Sequence, residues 1–211
     1  MKRKEDYELD ERVALIEEYR KNGKHAGGTE SALKWYQQGI AYALKGAEYD
    51  RENYEYYYFT QKHCRSYERK GKAYFEKAAS CFERSAELGH ELGMMNYALY
   101  LYAFKDEYAK ALPWFIKASE AGLAVADYEL AVFYKNGYCG VEVDKEKAEA
   151  YFQRYQTRCA EDERQLILAW DLDNDWRVLG RSYMFNWFCG YSFPECYDTP
   201  RVKPSKWKYR A

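Results

Sequence analysis

The chain has little of what would break or staple a helical body. Four prolines occur in 211 residues, and because proline removes a backbone donor and kinks helices, so few of them fit an all-α protein. The six cysteines, at 64, 81, 139, 159, 189 and 196, show no regular short spacing. That pattern argues against disulfide-stapled hairpins and predicts reduced thiols. No apolar run reaches the length of a membrane span, and the charged stretch from Met1 to Arg12 is followed by no run of signal-peptide length. The expectation is a cytoplasmic protein without a membrane partner. A formal net charge of −1 also argues against general attraction to nucleic acid or acidic lipid.

Aromatic residues are plentiful, at 19% of the chain with 24 tyrosines. A core of this size cannot hide that many rings, so some are expected at the surface. Tyrosine is the residue best suited to a half-exposed place in a binding surface.

The most informative order lies between Gly89 and Phe152. Laying Gly89, Gly93, Tyr97, Ala98 and Leu101 over Gly122, Ala126, Leu130, Ala131 and Tyr134 gives an offset of 33 residues. In the next helix Lys110, Ala111, Trp114 and Phe115 lie over Lys147, Ala148, Tyr151 and Phe152, now 37 apart, because the loop from Gly137 to Val141 adds four residues. A period of this size marks helix-hairpin repeats. Small residues let helix backbones approach closely, and a neighbouring aromatic fills the wedge between units. Ala98, Ala131 and Gly122 are therefore expected at crossings too tight for a larger side chain. Gly137 and Gly140 suit a chain reversal with positive φ, and Asp144 suits a helix N-cap.

The pattern Ala126, Leu130, Ala131, Tyr134, Gly137, Gly140, Val141, Asp144, Lys147, Ala148 and Tyr151 resembles the Sel-one-like repeat, a glycine-looped relative of the tetratricopeptide repeat. Residues 73–159 carry the resemblance best. Ala78, Ala79, Phe82, Ala86 and Gly89, then Ala111, Trp114, Ala118 and Gly122, keep the second-helix signature without a glycine loop, and Trp35, Gly39 and Tyr42 echo a tetratricopeptide first helix. The resemblance implies a right-handed superhelical array of antiparallel helix hairpins, an α/α solenoid, acting as an adaptor, scaffold or neutralising partner.

Breaks in the pattern predict helices near 6–21, 29–46, 50–69, 72–89, 92–104, 107–121, 124–136, 145–159 and 161–171, forming four hairpins and a closing helix. Thr29 is expected as an N-cap, Gly46, Gly89 and Gly122 as helix ends, and Pro113 as an early helix position. Residues 1–172 form the expected repeat array and 173–211 an irregular aromatic cap with a basic tail. That tail, Thr199 to Ala211, carries five positive charges and no acid.

Chemical motifs are weak. Gly23 to Glu30 has the outer spacing of a phosphate loop but lacks its lysine and hydroxyl pair. Asp171, Asp173 and Asp175 begin like a calcium loop, yet Trp176 and Ser182 stand where glycine and glutamate belong. Cys189 and Cys196 have no nearby histidine to complete a zinc site. His25, His63 and His90 have no companion nucleophile and read as surface residues. No catalytic residue, metal or cofactor is assigned.

The expected function is non-enzymatic binding of an unidentified protein or peptide in a concave groove. Packing by Tyr97, Ala98 and Leu101, and by Leu130, Ala131 and Tyr134, leaves Asn96 with Tyr100 and Glu129 with Phe133 as outward i, i+4 pairs. With Tyr57 or Tyr58 from the preceding unit they form the expected contact column. Two alternatives stand beside this one: an enzyme built on Asp171, Asp173, Asp175 and Arg177, and nucleic-acid contact through the basic tail, which the acidic body opposes.

Overall fold

The computed structural model describes residues 30–62, 64–162 and 165. Six helices are described: α1 (Glu30–Thr60), α2 (Arg65–Glu87), α3 (Glu91–Ala103), α4 (Tyr108–Glu120), α5 (Ala124–Asn136) and α6 (Lys145–Glu161). No strand occurs among the described residues, so this part is all-α. Each helix packs on the next in chain order, giving three consecutive hairpins. The expected helices at 6–21 and 161–171, the Thr29 cap and the segment 173–211 fall wholly or largely outside the described residues.

The first hairpin departs from expectation. Instead of breaking between Gly46 and Asp50, α1 runs unbroken for 31 residues, and α2 likewise continues through the expected break at Lys70 to Lys72. Small residues explain the continuity. Ala32, Gly39, Gly46 and Asn53 recur every seven residues and are buried. Phe75 and Phe82, also seven apart, lie across from the two glycines. A Cβ on Gly39 would sit 2.6 Å from the Phe82 ring, and one on Gly46 would sit 2.4 Å from the Phe75 ring. Gly46 therefore serves close approach within a helix rather than a helix end. A seven-residue period is shorter than two straight helical turns, so it favours a left-handed coil of the pair. Polar contacts fix its ends: Ser85 Oγ donates to the Ala32 carbonyl at 2.8 Å, and Asn53 Oδ1 accepts from the Cys64 N–H at 2.7 Å.

The 33-residue offset reappears in the backbone. Gly89 (φ +92°) and Gly122 (φ +99°) end α2 and α4 in the left-handed half of φ space. Their N–H groups donate to the carbonyls of Ala86 and Ser119, and the next N–H groups, of His90 and Leu123, donate to Ser85 and Ala118. These are the same turn twice, with carbonyls at helix ends satisfied by the same i−3 and i−5 bonds. Helices α3 and α5, thirteen residues each, then start 33 residues apart.

Two local expectations need correction. Gly122 is not a tight crossing, since an added Cβ there meets nothing within 4 Å; its φ is what demands glycine. The tight crossing belongs to Gly93, whose Cβ would lie 2.6 Å from Ser85 Oγ. Ala98 and Ala131 are fully buried. Pro113 occupies the sixth position of α4, deeper than the first turn, so it forgoes a helical hydrogen bond. As expected, Gly137 (φ +68°) ends α5, Gly140 also has positive φ, and Asp144 caps α6 by accepting from the Lys147 N–H at 3.0 Å.

Candidate partner-binding surface

The residues expected to form one column are divided by the fold. Tyr57 is exposed near the end of α1, and Tyr58 follows it on the same helix, its side chain outside the described set. Asn96 and Tyr100 lie half-buried on α3. Tyr100 stacks on Phe104 at 5.6 Å, and the Lys105 ammonium sits 5.4 Å from its ring centre while reaching Glu76 at 3.7 Å. Burial pushes the Tyr100 phenol above its ordinary range, and the nearby Lys105 pulls part of the way back.

Glu129 and Phe133 do not join them at the surface; both are fully buried. The Phe133 ring packs 5.0 Å from Phe115 and 5.1 Å from Tyr102. Every residue from Ala124 to Phe133 is completely covered, so α5 has no outward face over that run. A helix with apolar residues around its whole circumference belongs inside, and Ala124, Val125, Leu130, Val132 and Phe133 supply that distribution.

What recurs at the surface is an aromatic ring beneath a cation. On α1 and α2, Tyr49 stacks on Tyr74 at 5.7 Å, with Tyr42 and Tyr67 at 6.3 and 6.4 Å from this pair. Lys70 lies 5.2 Å from the Tyr49 ring centre, and Lys77 lies 5.2 Å from that of Tyr74 and 5.8 Å from that of Tyr42. On α3 and α4, Tyr97 meets Trp114 edge-on at 5.7 Å, and Lys117 stands 4.1 Å over the indole. On α5 and α6, Tyr134 and Tyr151 stack at 5.8 Å, under Lys147 and Arg154 respectively. All three hairpins carry such pairs, which occur about once per 70–80 residues in folded proteins. Sequence reading missed them. The available signal was the seven-residue spacing of Trp35, Tyr42, Tyr49 and Tyr56 and of Lys70 and Lys77.

A buried polar cluster was also missed. Asp127 is fully buried in the first turn of α5, where it accepts from Ser119 Oγ at 2.6 Å and pairs with Arg154 at 3.2 Å and with Arg158. Arg154 also donates to Ser119 Oγ, and Arg158 to the Ser119 carbonyl, both at 2.8 Å. Burial pushes the Asp127 carboxyl above its ordinary range, while Ser119 and the two guanidinium groups oppose that shift. The cluster ties α4, α5 and α6 together, with one carboxylate serving two guanidinium groups, of which Arg154 also lies over the Tyr151 ring.

His90, expected at the surface, is buried. It is the N-cap of α3, its Nδ1 accepting from the Gly93 N–H at 3.3 Å, and its ring stacks on Tyr36 at 4.7 Å. Cys64, Cys81, Cys139 and Cys159 are free thiols. No described helix is long and apolar enough to cross a membrane. His25, His63, Asp171, Asp173, Asp175, Arg177, Cys189, Cys196 and the basic tail lie outside the described residues. No protein-family model, curated protein or solved structure matches this chain.

Proposed function

We propose that this chain is a non-enzymatic interaction module, a right-handed array of helix hairpins of the Sel-one-like and tetratricopeptide kind, that holds a protein or peptide in its concave groove. The observation that carries the reading is the half-exposed aromatic surface beneath cations on all three hairpins. Tyrosine and tryptophan are enriched among the few residues that dominate interface energy, because they offer large contact area with few rotatable bonds. Repeat arrays present such residues in rows that extended partners can follow. Within the expected column, Tyr57, Asn96 and Tyr100 remain accessible for this role, and Tyr58 belongs to the same turn as Tyr57.

Site-specific photo-crosslinking tests the proposal. A benzophenone amino acid is placed at Tyr57, at Tyr100 and at exposed Gln153 on the far hairpin. Adducts with the same discrete partner from Tyr57 and Tyr100, lost when Tyr100 is alanine in the Tyr57-labelled protein, are expected. No adduct, or equal adducts from Gln153, refutes it.

A further inference from the structure

We infer that the face shared by α1 and α2 is a docking site for an acidic amphipathic helix of another protein. This deepens the proposed binding role and rests on it. The face has two properties that together define its occupant.

The first is its period. Tyr42 and Tyr49 on α1, and Tyr67 and Tyr74 on α2, each lie seven residues apart and are half-buried. Exposed Trp35 and Tyr56 extend the α1 row one step in each direction at the same spacing. From Trp35 to Tyr56 the row runs about 31 Å, from the helical rise. The two helices already share a seven-residue repeat on their buried side. A third helix laid along their outer seam would meet side chains with the period that coiled helices use to interlock.

The second is charge. Lys45, Lys70 and Lys77 are exposed on this face. Lys45 is paired with Glu48 at 3.0 Å, and half-buried Glu52 lies one turn further along α1. Lys70 and Lys77 rest over tyrosine rings, and no carboxylate among the described residues pairs with either. They stand about 10.5 Å apart along the helix, from the rise over seven residues, which matches carboxylates two turns apart on a partner helix. They flank the aromatic row as charged residues flank a coiled-coil seam and select its partner. Polyanionic nucleic acid fits less well. Single strands bind by stacking bases on open rings, whereas Tyr49 and Tyr74 are stacked on each other beneath the two lysines. The near-neutral chain offers no broad attracting field either.

The test is selection from a displayed library of helix-forming peptides of about 20 residues, the length that spans the face, followed by fluorescence anisotropy on the full chain. Enriched peptides should carry Asp or Glu at one-turn and two-turn spacings alongside apolar residues. Their affinity should fall by about tenfold or more in the Lys70→Glu/Lys77→Glu variant and stay within about threefold in Lys70→Arg/Lys77→Arg, because the charge is kept. Circular dichroism checks that both variants stay folded. Acid-free winners, or winners indifferent to Lys70→Glu/Lys77→Glu, overturn the inference. So does a labelled oligothymidylate that binds this face in preference to the peptides. Winners lost only on Tyr57→Ala or Tyr100→Ala overturn this face and leave the binding role standing. No enrichment at all overturns the inference, and the binding role is then decided by the crosslinking alone.

Discussion

Replacing Gly46 with alanine sets two effects of known size against each other. In an open helix interior the change stabilises by about 1 kcal/mol, because glycine is the more flexible residue when unfolded. In α1 the new methyl would sit 2.4 Å from the Phe75 ring, and carbon atoms pack best at about 3.5–4.0 Å. The ring must therefore retreat by roughly 1 Å. Phe75 is buried and its ring centre lies 5.8 Å from that of Phe104, so a retreat presses on its packed neighbours. Overpacking of this kind costs about 1–3 kcal/mol. Taking its upper half, the expected net loss is about 1–2 kcal/mol, measured by urea denaturation followed by far-UV circular dichroism. A glycine at a helix end would also resist alanine, so the single variant does not decide the matter. Phe75→Leu does, because it opens the space the methyl needs. The double variant should be more stable than the sum of the two changes by about 1 kcal/mol or more, as contacting residues couple. Additivity within about 0.5 kcal/mol would refute the close crossing and restore a break in α1.

Three further outcomes follow from local geometry. Asp127→Ala strands two guanidinium groups, and breaking a buried pair costs about 3–5 kcal/mol; because the Arg154 side chain is 43% exposed and can turn to water, about 2–4 kcal/mol is expected, and a loss below about 1 kcal/mol in chemical denaturation would refute a structural role. Gly122→Ala should cost about 1–2 kcal/mol through its positive φ alone, with Gly122→Asn milder since asparagine tolerates that region; a neutral alanine variant would contradict the turn. Burial pushes the Cys81 thiol up and those of Cys139 and Cys159 up to about 12, so a thiolate-selective reagent at mildly alkaline pH should label Cys64 well before them. Mass mapping that finds Cys139 modified as fast as Cys64 would contradict that ordering.

Helices α3 to α6 were legible because their ends are written in local chemistry. The turns at Gly89, Gly122 and Gly137 and the cap at Asp144 each need only a few adjacent residues. The first hairpin was misread because glycine has two uses, and only the partner decides between them. Gly89 takes positive φ, whereas Gly46 admits the Phe75 ring, which lies 29 residues away in the chain. The candidate surface was misread for a different reason. Treating α5 as a helix with one buried stripe placed Glu129 and Phe133 outside, although its apolar residues encircle it. The Asp127 cluster was beyond local reading, since its arginines come from α6 and its serine from α4.

The cations over the rings also bear on how the proposed binding surface, rich in tyrosine, would choose a partner. Each exposed pair is worth about 0.5–1 kcal/mol, and the lysine stems cover apolar ring surface that would otherwise face water. A neutral partner that needs the bare rings must first displace these side chains and loses that energy at every step of the row. A basic partner loses it too and adds repulsion from Lys70 and Lys77. A partner bearing carboxylates can engage the ammonium groups where they stand and pack its apolar positions against the ring edges. Only that partner leaves the pairs intact. Under the proposed binding role, aromatic area would supply the affinity, and the lysines would decide which partners can reach it.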